Sequence, residues 1–193
     1  MVERDEGFRP LTTSEDLARL PPAFTDRGTI TAGNASQLSD GAAATVVMSA
    51  ARAEALGIEP LAEILAYGMC ADRFAYLHTV PAMALGTALK KAGKDIHDLG
   101  LLEINEAFAS VAVHATRMLG TDESIVNVNG GSVALGHALG STGARMIVTL
   151  LHEMRRRGVE YGAATLCGGG GQGDALLLRR SATVSAPAAL SSP

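Results

Sequence analysis

An α/β fold with a mostly parallel sheet covered by helices is predicted for this chain of 193 residues. Three observations predict it. Apolar runs of strand length alternate with segments of helical period from Leu61 onward, the pattern that generates βαβ units. Glycines follow the helical segments at Gly93, Gly120 and Gly158, where a left-handed cap needs a residue without Cβ. Apolar residues make up 47% of the chain and charged ones 19%, a balance that supports a buried core rather than disorder.

Residues 1–28 are polar and broken by Pro10, Pro21 and Pro22. They read as loop with one short helix, which Thr13-Ser14-Glu15 can cap and which ends near Leu20. TITAGNASQLS (29–39) is small and turn-rich. The compact run AAATVVM (42–48) predicts a buried strand, and Ala50 to Leu56 a helix closed by Gly57. LAEILAYG (61–68) predicts a strand. Pro81 opens a helix with Leu85, Ala88, Leu89 and Ala92 on one face. LGLLEIN (99–105) predicts a strand, Glu106 to Leu119 a helix, and SIVNVNG (124–130) a further strand. Ser141 to Arg157 predicts a helix with Ala144, Ile147, Val148, Leu151 and Met154 as its apolar stripe. AATLC (163–167) and DALLLRR (174–180) flank a glycine run and predict a closing β-hairpin. The order from Leu61 is β-α-β-α-β-α-β-β, the hairpin adding an antiparallel edge. The tail SATVSAPAALSSP (181–193) is expected to be disordered.

Composition excludes several functions. A net charge of −4 with both signs scattered leaves no electrostatic footprint for nucleic acid. The basic run Arg155-Arg156-Arg157 ends a predicted helix, where it complements the dipole. Cys70 and Cys167 are the two cysteines and form no C-x-x-C pair, so neither a disulfide framework nor a zinc knuckle is expected. His78, His97, His114 and His152 show no ligand spacing, and no metal is expected. The N-terminal residues lack the apolar core of a signal peptide, and no apolar run suits a bilayer span. The default expectation is a cytoplasmic protein that binds no membrane.

Three segments stand at strand ends: Asn105-Glu106-Ala107-Phe108, Gly136-His137, and Cys167 with its glycines. In a parallel sheet such ends gather on one edge, where ligands bind. A cysteine can supply an acid, a base or a nucleophile. A histidine near a helix N-terminus is biased toward the neutral form, able to take a proton. An asparagine amide can donate toward an oxyanion. Each has a plainer reading: Asn105 as a helix cap, His137 as a loop residue, Cys167 as a buried hydrophobe, Phe108 as core. GGGGQG (168–173) fits the G-x-G-x-x-G expression, but a strand follows it and no acid lies beyond Asp174. It is therefore not a dinucleotide fingerprint.

GTITAGNASQLSDGAA, EINEAFA, NVNGGSVALGHALGSTGAR and ATLCGGGGQGDALLL, in that order, resemble the C-terminal half of thiolases, the acetyl-CoA acetyltransferase family. The resemblance runs from about Phe8 to Leu178. It implies a thiolase-like fold: residues 1–58 as the end of the loop region with the last strand and helix of the N-terminal half, 59–180 as the C-terminal domain. It implies a Claisen condensation of two acyl-CoA molecules, acetyl-CoA to acetoacetyl-CoA, or thiolytic cleavage of a 3-ketoacyl-CoA, as in fatty acid metabolism. No cofactor is implied beyond the coenzyme A thioester substrates. His137 would activate a nucleophilic cysteine. Cys167 would be the acid/base for the substrate α-carbon and the leaving CoA. Asn105 would hold a water of one oxyanion hole, and the Gly169 N–H would serve the second. Ala32 and Ser36 would lie along the pantetheine arm, Phe24 and Phe108 would wall it, and Arg9 would lie near the CoA nucleotide. A homo-oligomer, dimer or tetramer, is implied.

Two departures from the pattern stand out. Ala138 replaces the proline that follows the family's histidine, removing a fixed φ. The family's nucleophilic cysteine belongs to the preceding half, and Cys70 in YGMCADRF lacks its context. The chain thus resembles a truncated or split thiolase, inactive alone and needing a partner that bears the nucleophile. The competing readings are a non-catalytic acyl-CoA or lipid-binding module and a structural fragment. Ketoacyl synthases, a related class, fit the Asn, His and Cys motifs less well.

Overall fold

The computed structural model describes residues 3, 5, 7, 9–73 and 76–181. All of the expected disordered tail but Ser181 lies outside the described residues. Four strands form one sheet: β1 (Ala62–Ala71), β2 (Leu101–Ile104), β3 (Tyr161–Gly168) and β4 (Gln172–Arg180), in the order β1-β4-β3-β2. β2 and β3 are parallel, with Leu102 opposite Ala163. β4 is antiparallel to both β3 and β1. Three strands therefore run one way, yet two of the three pairings are antiparallel, and the sheet is mixed. The hairpin lies inside the sheet, not at its edge as expected. Ala175, Leu177 and Leu178 of β4 are all buried, and a strand buried on both faces needs neighbours on both sides.

Helices cover both faces. α3 (Val80–Ala92) and α4 (Ala109–Leu119) pack one side, where Leu85, Ala88, Leu102, Ile104, Ala163 and Leu177 form the larger core cluster. α6 (Thr142–Arg157) packs the other with Leu101, Met146, Leu150, Met154, Ala164 and Leu178. Neighbouring Leu101 and Leu102 point to opposite faces, as the strand period of two requires. Each leucine so buried contributes about 1.5–3 kcal/mol. α3 begins at Val80, one residue before Pro81, and closes on Gly93 at φ 62°. Its backbone reaches β1 at Gly68, where a Cβ would stand 1.9 Å from the Ala84 carbonyl oxygen.

Shorter helices complete the chain. α1 (Ser14–Ala18) has a capping box of Thr13 and Asp16, and α2 (Ala50–Ala55) is capped by Ser49. α5 (Ser132–Leu135) was not foreseen.

Two expected strands are absent. Residues 42–48 have no regular structure, and Val46 and Val47 are 86% and 69% exposed. An apolar run becomes a strand only where a neighbour offers ladder partners, and none of the four strands does so here. Residues 124–130 make a 3₁₀ turn (Glu123–Ile125) and a single bridge from Val126 to Leu102. Asn127, at φ 46°, takes over the ladder with its side chain. Its Oδ1 accepts from Ile104 N at 2.8 Å, and its Nδ2 donates to Ile104 O at 2.9 Å.

Candidate active site

The parallel pairing of β2 and β3 brings two chemically active residues to one sheet edge. Asn105 follows β2, and its N–H donates to Thr165 O at 2.9 Å, continuing the ladder. Cys167 lies two residues further along β3, at the start of the glycine turn. β4 returns from that turn as a strand, so it is no dinucleotide fingerprint. Gly171 adopts φ 79°, and a Cβ there would meet the Arg73 carbonyl oxygen at 2.6 Å. Gly169 is exposed, with open space around it.

His137 reaches the same edge by another route. Asn127 Nδ2 donates to Glu106 Oε1 at 2.9 Å, and the Val133 N–H to Glu106 Oε2 at 3.0 Å. These bonds dock the turn before α5 against the end of β2. Gly131 packs so close to the Glu106 carboxyl that a Cβ would lie 2.1 Å from it. α5 then ends at Gly136, φ 97°, and the chain reverses to present His137. The His137 N–H donates to Gln37 O at 2.9 Å, pinning the loop to residues 37–41. With Ala138 in place of proline, that bond and the Thr142 hydroxyl hold the turn.

Asn105 does not cap a helix. α4 starts only at Ala109, with Phe108 as its N-cap. The Asn105 side chain is buried, with Nδ2 3.4 Å from His137 Nε2 and Oδ1 accepting from Ser132 Oγ at 2.7 Å. The other ring nitrogen, Nδ1, lies 2.7 Å from Thr142 Oγ1. Burial, then the nearby Arg145 cation, hold the His137 pKa below the ordinary histidine value. The ring is thus kept neutral mainly by desolvation, and not by the helix dipole alone.

Both cysteines are half-buried. Each opposes Gly173, Cys70 from β1 and Cys167 from β3. Burial raises the Cys167 thiol, so it rests protonated. Burial and the Asp174 and Asp72 charges raise Cys70, whose Sγ donates to Val80 O at 3.3 Å. Cys70 is therefore a poor nucleophile, since attack needs the thiolate.

The remaining predicted residues divide. Ser36 Oγ donates to Ala107 O at 2.9 Å, and Ala35 bridges Phe108, so residues 34–36 run along the segment after Asn105. Phe24 meets Phe108 edge to face at 5.9 Å. Ala32 is exposed in the same loop. Arg9 is held locally, its Nη1 donating to Gly7 O at 2.9 Å, and no described contact ties it to the site.

Four residues at the site were not foreseen: Glu103, Ser132, Thr142 and Arg145. Glu103 carried a readable signal, an acid inside an apolar strand. It is 4% exposed, and its carboxylate lies 3.6 Å from Arg145 Nη1. Burial outweighs that cation, and the neighbouring Glu106 and Glu153 add to it, raising Glu103 to about 7. Among the described residues no cluster of three or more metal-ligating side chains occurs, and no helix is long and apolar enough to cross a membrane.

Two family profiles match this chain: "Thiolase, C-terminal domain" over residues 58–180 and "Thiolase, N-terminal domain" over residues 1–51. Among curated relatives, a probable acetyl-CoA acetyltransferase of Mycolicibacterium smegmatis is 53% identical over 176 residues, 91% of this chain and 45% of the relative. A 3-ketoacyl-CoA thiolase of Bacillus subtilis is 49% identical, with 91% and 45% covered. Among solved structures, the Bacillus anthracis acetyl-CoA acetyltransferase superposes with a TM-score of 0.88 at 46% identity, covering 92% of this chain and 45% of that one. Human mitochondrial 3-ketoacyl-CoA thiolase in complex with CoA superposes at 0.85 and 40% identity, with 94% and 46% covered. The chain spans about half the length of the relatives it matches.

Proposed function

Given that this chain belongs to the thiolase family, we propose that it carries the proton-transfer half of a thiolase-type acyltransferase site. The reaction is the condensation of two acyl-CoA molecules or the thiolytic cleavage of a 3-ketoacyl-CoA. One observation carries the reading: the Asn105 amide meets His137 at the end of the strand that pairs with the Cys167 strand. We read residues 1–58 as the end of the N-terminal half and 59–180 as the C-terminal domain. We further propose the cytoplasm as its compartment and, as the family resemblance implies, a homo-oligomer as its assembled form.

The chemistry follows from the resting protonation states. His137 Nε2 takes the proton of a nucleophilic thiol contributed by the other half. That thiolate attacks the acyl carbonyl, and the tetrahedral intermediate collapses to an acyl-cysteine. Cys167, protonated at rest because burial raises it, gives its proton to the departing CoA sulfur. It is left as a thiolate, a base strengthened by the same burial. A second acyl-CoA then loses an α-proton to Cys167. The enolate oxygen is held by the protonated His137 and a water on the free Asn105 N–H. The enolate carbon attacks the acyl-cysteine, the Gly169 N–H donating to its carbonyl oxygen. The intermediate collapses, the C–S bond breaks, and the departing cysteine thiolate takes back the proton held by His137. Ala32, Ser36, Phe24 and Phe108 flank the pantetheine arm, and Arg9 serves the CoA nucleotide. No metal or further cofactor takes part.

The nucleophile is expected from a partner half, because the family resemblance assigns it to the preceding half and burial raises the thiols of both Cys70 and Cys167. Exposed Val46, Val47, Tyr67 and Met69 offer apolar surface for it to cover. Intact mass spectrometry tests the proposal. The chain with acetyl-CoA alone should show no acetyl adduct. Added to a cysteine-bearing N-terminal half of a relative, it should support an adduct on that half and form acetoacetyl-CoA. A mixture that binds CoA but never transfers an acyl group would favour a binding module instead.

A further inference from the structure

We infer that Arg145, Ser132, Asn105, His137, Thr142 and the Ala138 carbonyl form a one-way chain of hydrogen-bond donors. Within it, Ser132 and Arg145 are positioning residues. They decide which end of the Asn105 amide faces His137, and thereby which ring nitrogen of His137 carries the hydrogen. The inference deepens the acyl-transfer reading, since the bare nitrogen is the one that takes a proton there.

The direction is set at one end by Arg145. A guanidinium donates and never accepts, and Arg145 Nη2 lies 3.4 Å from Ser132 Oγ. The single Ser132 hydrogen is then free for Asn105, 2.7 Å away. The amide atom facing Ser132 is the oxygen, since an NH₂ there would leave the buried hydroxyl hydrogen without an acceptor. The NH₂ end is left toward His137 Nε2 at 3.4 Å. An amide NH₂ cannot accept, so Nε2 carries the lone pair and Nδ1 the hydrogen. Nδ1–H donates to Thr142 Oγ1 at 2.7 Å. The Thr142 hydrogen goes on to Ala138 O at 2.9 Å, which closes the chain on an obligate acceptor. Reversing any one link puts two donors or two acceptors face to face.

Solvent cannot repair such a mismatch. Ser132, Asn105 and Thr142 are 0%, 1% and 2% exposed. A buried polar group without a partner is costly, and links in a chain polarise one another. Arg145 is itself fixed in place. Its Nη1 is buried, makes no hydrogen bond among the described residues, and faces the Glu103 carboxylate at 3.6 Å. The guanidinium is therefore held by charge on one side and hands a hydrogen bond to Ser132 on the other. Ser132 lies 27 residues from Asn105 in sequence and meets it as the first residue of α5.

Long-range proton–nitrogen correlation spectra of the imidazoles of the full chain test the inference. The His137 signals are identified by their loss in His137→Asn. The expected wild-type spectrum has Nδ1 protonated and Nε2 bare. In Ser132→Ala the amide is free to turn, and both nitrogens should shift toward the mean of the two types. Arg145→Leu combined with Glu103→Gln, so that no carboxylate is left alone, should give the same shift with unchanged circular dichroism. Ser132→Thr keeps the hydroxyl and should keep the wild-type tautomer. A wild-type His137 protonated at Nε2 overturns the inference. So does a folded Ser132→Ala chain that retains the wild-type pattern. The spectra need no turnover, so failure of acyl transfer with the expected tautomer would sink the proposed function alone, and the reverse result this inference alone.

Discussion

Thr142 Oγ1 lies 2.7 Å from His137 Nδ1 and 2.9 Å from the Ala138 carbonyl oxygen, and it serves both. It accepts from the ring and donates to the backbone. Thr142→Val keeps the shape and removes both bonds. The ring N–H would lose its partner beside a buried side chain, a loss of about 1–3 kcal/mol, while the carbonyl keeps the Ser141 and Thr142 N–H donors. Urea unfolding should show the midpoint falling with an unchanged slope. An unchanged midpoint would mean that the two bonds contribute nothing to the fold.

Glu103 predicts a pH dependence of stability. Its pKa is raised from 4.5 to about 7 in the folded chain. The folded state therefore holds a proton that the unfolded state releases between those values. Stability from this group is present in full below 4.5 and is lost as pH rises to about 7. The loss is at most roughly 3 kcal/mol. His137 and His78, both lowered chiefly by burial, act in the opposite direction below 6.5. Unfolding of the wild type and Glu103→Gln across this window separates the two. The wild type should lose stability relative to the variant as pH rises, and parallel curves would contradict the shift.

Gly68 predicts a steric limit. A Cβ there would stand 1.9 Å from the Ala84 carbonyl oxygen and 2.8 Å from Ala88 N. These are backbone atoms of α3, so no side chain can swing aside. Gly68→Ala should displace α3 from the sheet and destabilise the fold by about 1–3 kcal/mol or more. Thermal unfolding would read this as a lowered Tm. A chain as stable as wild type would show that α3 sits further from β1.

The sequence pattern made the longer helices and the four strands of the sheet legible, and the reasons are local. Gly93, Gly120 and Gly158 each occupy the left-handed cap expected of them. The run DALLL revealed a strand but not its place, because position in a sheet depends on which other strand comes to pair. The same limit applies to AAATVVM, which is apolar enough for a strand but finds no ladder here. SIVNVNG failed differently: Asn127 supplies ladder bonds from its side chain, which no periodicity reports. At the site, Asn105 and Cys167 are placed by their strands, and their position at one sheet edge follows from the parallel pairing of β2 and β3. His137 arrives through a turn and α5 instead. Ser132 and Arg145 could not be read, since their part depends on who donates to whom across a fold. Glu103 could have been, as a lone acid in LLEI.

In the function proposed, His137, Cys167 and Asn105 act on one bound substrate. Thiolytic cleavage of acetoacetyl-CoA by the assembled enzyme, this chain with a cysteine-bearing N-terminal half, tests it most directly. Loss of the enolate absorbance gives the rate. Cys167→Ala and His137→Ala should each lower kcat by about 10²–10⁴-fold, the span that a positioned acid or base contributes. Asn105→Ala should lower it by about 10²–10³-fold, as loss of an oxyanion donor does. Each variant should keep its circular dichroism. Variants that fold and cleave within tenfold of the wild-type rate would contradict the claim.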